Sequence, residues 1–214
     1  MTTPAIKICG ISTPAALDAA IRARADHVGF VFFAKSPRSV DPVQAAALGA
    51  RAAGRIGVVG LFVDADDALL GDAVAAAGLT AIQLHGSESA ERTAQIRARF
   101  GLPVWKAISV TTPQDVQRAH SYAGAADLVL FDAKTPAGTL PGGMGLSFDW
   151  SLVAGWKGPL AWGLAGGLNP RNVAEAIERT GTPLVDTSSG VESAPGMKDE
   201  SLIAQFCTAA RGGV

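Results

Sequence analysis

Two residues stand where proton transfer could be carried out from opposite sides of one substrate. Cys9 closes the first apolar run, in Lys7-Ile8-Cys9-Gly10, and Asp132 closes a later one, in Leu130-Phe131-Asp132. A thiol beside a cation is a candidate base. Unperturbed, it titrates near ~8.5. Lys7, two residues earlier and so on the same face of a strand, either raises the thiolate fraction or pairs with Asp186. A carboxyl that ends the run Leu128-Val129-Leu130-Phe131 is drawn towards low dielectric. That favours its protonated form and suits it to general acid work. Against both readings stand bland ones: a free Cys is most often a small buried hydrophobe, and an Asp after a strand is often a cap.

Elements must bring these two groups together. Near-continuous apolar runs mark strands at Ala5–Cys9, His27–Phe32, Ile56–Phe62, Ala81–Leu84, Val104–Ile108, Leu128–Asp132, Leu160–Gly163 and Leu184–Thr187. Runs without alternation belong to strands covered on both faces. Between them lie helix starts: Thr13-Pro14, Asp41-Pro42, Ser87-Glu88, Thr112-Pro113, Asn169-Pro170 and Lys198-Asp199-Glu200. Strands alternating with crossovers predict one (βα)8 TIM barrel over residues 1–214, with strand spacing compact for that fold. The competing layout, a doubly wound open sheet, announces itself with a glycine fingerprint after its first strand; the turn here is Cys9-Gly10-Ile11-Ser12.

A barrel supplies a filter, because its active site forms at the C-terminal ends of its strands. Cys9, His85 and Asp132 end strands and pass. His27 starts one and fails; His120 lies late in a helix, where dipole pairing accounts for it, and Cys207 reads as core. Arg38, on the Pro-stiffened loop Lys35-Ser36-Pro37-Arg38, suits a bidentate grip on a carboxylate. The loops after strands 7 and 8 carry Gly166, Gly167 and then Asp186-Thr187-Ser188-Ser189-Gly190. Glycines let backbone N–H groups approach an anion, and these two loops are the usual phosphate site of a barrel, with Ser189–Glu192 forming a short extra helix. The long loop from Ala133 to Ser147, with Pro136, Gly138, Pro141, Gly142, Gly143 and Gly145, reads as a mobile cover.

Composition narrows the field. Against 18 Lys+Arg stand 19 Asp+Glu, a net charge of −1, so nothing pulls globally on nucleic acid or an acidic membrane. The 2 Cys lie near opposite ends and form no disulfide framework, no Cys/His spacing suggests a metal site, and no signal peptide or membrane span is legible. Together these point to a reducing cytoplasm.

The motifs together resemble those of the phosphoribosylanthranilate isomerase family of tryptophan biosynthesis. They are Lys7-Ile8-Cys9-Gly10, Lys35-Ser36-Pro37-Arg38, Gln83-Leu84-His85-Gly86, Leu130-Phe131-Asp132, Phe148-Asp149-Trp150, Ala165-Gly166-Gly167-Leu168-Asn169 and Asp186-Thr187-Ser188-Ser189-Gly190-Val191-Glu192. The match runs in order over nearly the whole chain. It implies a cofactor-free, metal-free Amadori rearrangement of a phosphorylated small molecule. Asp132 would protonate the furanose ring oxygen, Cys9 would remove the C2′ proton, and Arg38 would hold the anthranilate carboxylate. His85 and Asp186 would touch substrate, and Gly166, Gly167, Ser188, Ser189 and Gly190 would hold the phosphate. It also implies functional association with other tryptophan-pathway enzymes. One departure is Met144, where the family usually has Ser or Thr. Two other readings compete: a sugar-phosphate epimerase or lyase, which wants a metal or a Schiff-base Lys such as Lys106, and a non-catalytic phosphate-ligand binder, which would lack the acid or the base.

Overall fold

Each strand of the chain must satisfy two apolar environments at once. In β1 (Ala5–Cys9), Ile6 and Ile8 face the helices, while Lys7 and Cys9 face the barrel axis. The remaining barrel strands, β2 (His27–Val31), β3 (Gly57–Phe62), β4 (Ala81–Leu84), β5 (Val104–Val110), β6 (Leu128–Ala133), β7 (Ala161–Leu164) and β8 (Leu184–Thr187), repeat this division. Both faces being buried is why the sequence shows runs rather than alternation. A computed structural model describes residues 3–133 and 147–212.

All eight strands are parallel and close in the order β1-β2-β3-β4-β5-β6-β7-β8, with β1 pairing back onto β8. The expected barrel is therefore the observed one, and the open sheet is excluded. The axis is packed by two groups, Val59, Ala81, Trp105, Leu130, Ala165 and Leu184 in one and Cys9, Val31 and Leu61 in the other. His27 lies at the bottom, its ring edge-on to Trp105 at 5.1 Å.

The cap-and-proline signals start helices for local reasons. Thr13 caps α1 (Pro14–Arg22) and Asp41 caps α2 (Pro42–Ala52), where Gln44 completes a capping box. Thr112 and Asp115 do the same for α5 (Pro113–Gln117), which passes into a tighter turn at Arg118–Tyr122 that carries the exposed His120. Three starts differ from expectation. Helix α3 (Asp67–Ala77), capped by Asp66, carries no proline signal. Helix α4 (Ala90–Phe100) is capped by Ser89 and not by Ser87, because Ser87 is occupied with Asp64. Asn169 heads a turn on whose far side α6 (Val173–Thr180) begins. After β8 the chain forms a hairpin that no sequence signal marked, β9 (Glu192–Ala194) and β10 (Met197–Lys198), before Asp199 caps α7 (Glu200–Ala210). Cys207 is buried in α7, where burial pushes its thiol up to about 11.

Candidate active site

The barrel places Lys7 and Cys9 on one strand and Asp186 on the neighbouring one. Lys7 is fully buried, and its Nζ donates to Asp186 Oδ1 at 3.0 Å. Burial alone would lower the Lys7 pKa, but Asp186 and Cys9 outweigh it and hold the ammonium above its usual range. For Cys9 the balance runs the other way. Burial pushes the thiol up and Asp186 adds to the push, while Lys7, which also hydrogen-bonds it, and Lys198 pull it down without cancelling the rise. Of the two alternatives for Lys7, the pairing with Asp186 is the one seen; its pull on the thiol does not overcome burial. Gly29 on β2 makes the room, since a Cβ there would stand 2.8 Å from Cys9 Sγ and 3.2 Å from Lys7 Nζ.

A buried ion pair is far more costly to break than to lack. Lys7→Met is expected to destabilise the fold by about 3–5 kcal/mol, because Asp186 is left uncompensated. Adding Asp186→Asn should recover a substantial part of that loss. Denaturant unfolding of the two variants checks this, and a single variant within ~1 kcal/mol of the parent would contradict it.

On the far side of the mouth, Asp132 Oδ2 lies 3.0 Å from His85 Nε2. Its Oδ1 accepts from the Ala133 N–H at 2.8 Å. His85 follows β4, and its Nδ1 lies 3.2 Å from Nε2 of Gln83, which is fully buried two residues earlier on the same face. Asp186 interacts electrostatically with both Asp132 and His85, so a single acidic side chain connects the two halves of the site.

Arg38 is not a solvated charge. It is buried, and Nε and Nη2 each donate to Glu192 at 2.8 Å. Glu192 Oε1 also takes Lys198 Nζ at 2.6 Å, and Lys198 reaches Ser188 O at 3.0 Å. Burial pushes Glu192 up, but Arg38 and Lys198 hold it below the usual carboxylate range. Two cations sharing one carboxylate leave this corner net positive. Gly10, at φ +77°, lets Arg38 cross the first loop: a Cβ would stand 2.7 Å from Arg38 Cδ and 3.1 Å from Ser188 Oγ. Sequence reasoning missed Glu192, Lys198 and Gln83 as site residues. Gln83 had a readable signal, its two-residue offset from His85; the other two are joined only by the unmarked hairpin.

The loops after β7 and β8 lie against each other. Thr187 Oγ1 donates to Leu168 O at 2.6 Å, and Asn169 and Asn172 both donate to Gly167 O. Gly166 (φ +83°) packs so closely on Ala133 that a Cβ would come within 2.5 Å of its N, and a Cβ on Gly190 would collide with Leu168 O. The short helix expected over Ser189–Glu192 is a single tight turn at Ser189–Val191, and Glu192 already opens β9. The cover segment Ala133 to Ser147 has its interior, with Pro136, Gly138, Pro141, Gly142, Gly143, Met144 and Gly145, outside the described residues.

Lys106 is excluded as a Schiff-base residue. On β5 it is Trp105 and Ala107 that face the axis, while Lys106 turns outward. There it is buried against Glu88 at 3.1 Å and the carbonyls of Gly86 and Ala107. Among the described residues no group of His, Cys, Asp and Glu is arranged to hold a metal ion, and no helix is long and apolar enough to cross a membrane.

A family model described as N-(5′-phosphoribosyl)anthranilate (PRA) isomerase matches residues 6–209. The N-(5′-phosphoribosyl)anthranilate isomerase of Paramagnetospirillum magneticum is 53% identical over 209 residues, 97% of either chain. The crystal structure of phosphoribosyl anthranilate isomerase from Thermotoga maritima superposes with a TM-score of 0.87 at 36% identity, covering 98% of this chain and 99% of the other. A structure of phosphoribosyl anthranilate isomerase in complex with reduced 1-(o-carboxyphenylamino)-1-deoxyribulose 5-phosphate gives a TM-score of 0.85 at 34% identity, with the same coverage.

Proposed function

The chain belongs to the N-(5′-phosphoribosyl)anthranilate isomerase family, and we propose that Cys9 and Asp132 divide the proton transfers of its reaction. That reaction is the isomerisation of N-(5-phosphoribosyl)anthranilate to 1-(2-carboxyphenylamino)-1-deoxyribulose 5-phosphate in tryptophan biosynthesis. The observation that carries the division of labour is the inward placement of both groups at one rim: Cys9 against Lys7, and Asp132 against His85.

In the proposed sequence Asp132 gives its proton to the furanose ring oxygen. The C1′–O bond breaks and the nitrogen lone pair closes a C1′=N bond. Cys9, as thiolate, removes the C2′ proton, and the electrons of that bond move to give the enolamine. To reach the ketone, O2′ must lose a proton and C1′ must gain one. The Asp132 carboxylate and the Cys9 thiol are then in the states that perform those two transfers, which restore both groups.

Arg38 holds the substrate carboxylate in the net-positive corner it forms with Lys198 and Glu192. Backbone N–H groups of Gly166, Gly167, Ser189 and Gly190, with Ser188 beside them, hold the phosphate, while His85 and Asp186 lie beside the reacting carbons. A single domain over 1–214, a cytoplasmic location, and functional association with other tryptophan-pathway enzymes belong to the same proposal.

The test is the loss of fluorescence of freshly made phosphoribosylanthranilate, coupled to the next enzyme of the pathway. Turnover without added metal is expected; no turnover would leave the phosphate-binder reading standing. Arg38→Ala should raise KM by roughly 10- to 150-fold, the worth of a charged hydrogen bond at about 1.5–3 kcal/mol. An unchanged KM would remove Arg38 from the carboxylate site.

A further inference from the structure

Gln83 is fully buried, and its Nε2 is spent on His85 Nδ1 at 3.2 Å. Its Oε1 has no hydrogen-bond partner among the described residues. A buried amide oxygen without a partner carries a penalty, and a half-turn about the last side-chain bond would exchange it for Nε2. The two orientations make opposite demands on the imidazole. With Nε2 donating, Nδ1 must be bare, the ring proton sits on Nε2, and Asp132 Oδ2, 3.0 Å away, can only accept. With Oε1 turned in, Nδ1 must carry a proton. Nε2 then either accepts from a protonated Asp132 or shares its own proton with the carboxylate. The second arrangement holds one proton more than the first.

We propose that Gln83 is a positioning residue for the acid: its amide turns with the proton load of the His85–Asp132 pair, donating to Nδ1 when the pair is discharged and accepting from it when the pair is loaded. The inference rests on the reading of Asp132 as the acid. The orientation seen is the discharged one, with Oε1 waiting. The other charged groups that face the pair are Asp186 on β8 and, through it, Lys7 on β1. Neither contacts Gln83 by hydrogen bond, so the amide is the group that senses Nδ1 directly.

Imidazole 15N NMR of His85 in the substrate-free enzyme tests this without turnover, so a failed role for Asp132 in catalysis does not obscure it. In the parent protein Nδ1 should move from unprotonated to protonated as pH falls through the titration of the pair. Asp132→Asn, which copies the shape and donor of the loaded acid, should hold Nδ1 protonated across the whole range. Gln83→Met, which can neither donate nor accept, removes one hydrogen bond from each state and should leave the midpoint within about half a pH unit of the parent. Gln83→Glu, which only accepts, should raise it. The same pattern, a rise with Gln83→Glu and little change with Gln83→Met, is expected in the limb of the kcat/KM profile that follows the pair. An Nδ1 protonated on both sides of the transition, or bare on both, overturns the proposal, as does a midpoint moved by about a full unit in Gln83→Met or not raised in Gln83→Glu. If either variant fails to fold, the parent and Asp132→Asn spectra decide the matter alone.

Discussion

Asp132→Asn is expected to lower turnover by about two to four orders of magnitude, the range for loss of a general acid. The substitution matches the carboxyl in size and leaves an oxygen for the Ala133 N–H, so the packing at the end of β6 is retained. On the proposed assignment it removes the proton that ring opening consumes: an amide N–H hydrogen-bonds but is far too weak an acid to give its proton up. The loss should therefore fall on kcat, with KM changed little, because the carboxylate and phosphate grips lie on other loops. Steady-state kinetics with the fluorescence assay reads this directly, and near-parental kcat would take the acid role away from Asp132.

Cys9→Ala is expected to cost as much, for a different reason. The alanine methyl fits a site already shaped by Gly29, so the stability change should stay near ~1 kcal/mol by denaturant unfolding, within the range for deleting a small buried group. The chemical loss follows because a methyl group can neither take nor return a proton. Cys9→Ser should be nearly as poor. A hydroxyl keeps the contact with Lys7 but does not ionise in this pH range, so the variant separates basicity from packing. Because burial holds the thiol above its ordinary range, the thiolate is disfavoured in the substrate-free protein. Substrate that expels water from the mouth and brings its own anions changes that balance, and Lys7 and Lys198 are the cations placed to favour the thiolate. A Cys9→Ala enzyme with ordinary kcat would end the base assignment.

Much of this was readable because a barrel repeats one rule. The strand runs from Ala5–Cys9 to Leu184–Thr187 could be placed since both faces are apolar, and the rim residues Cys9, His85 and Asp132 followed from strand ends alone. Lys106 shows where that reading stops. In Val104-Trp105-Lys106-Ala107-Ile108 no alternation tells which side is inside, so an outward lysine and an inward one look alike until coordinates set the parity. Glu192 and Lys198 were illegible for another reason: their meeting depends on a hairpin whose two short strands lack any apolar pattern. The start of α4 slipped by two residues because Ser87 and Ser89 are equal as caps in sequence, and only the tertiary contact of Ser87 with Asp64 separates them.

The closure of β1 on β8 has a consequence for how the molecule comes into being. Lys7 leaves the ribosome 179 positions ahead of Asp186, its counter-ion. Until the last strand arrives, the nascent chain holds an ammonium destined for burial with nothing opposite it, a state that costs several kcal/mol per ion. A truncated product is thus driven to leave its first strand undocked, exposed to proteases rather than lingering as a half-built barrel. The setting of Cys9 is completed only by that same late arrival, so a chain stopped before β8 is expected to hold the thiol without the Lys7–Asp186 pair beside it.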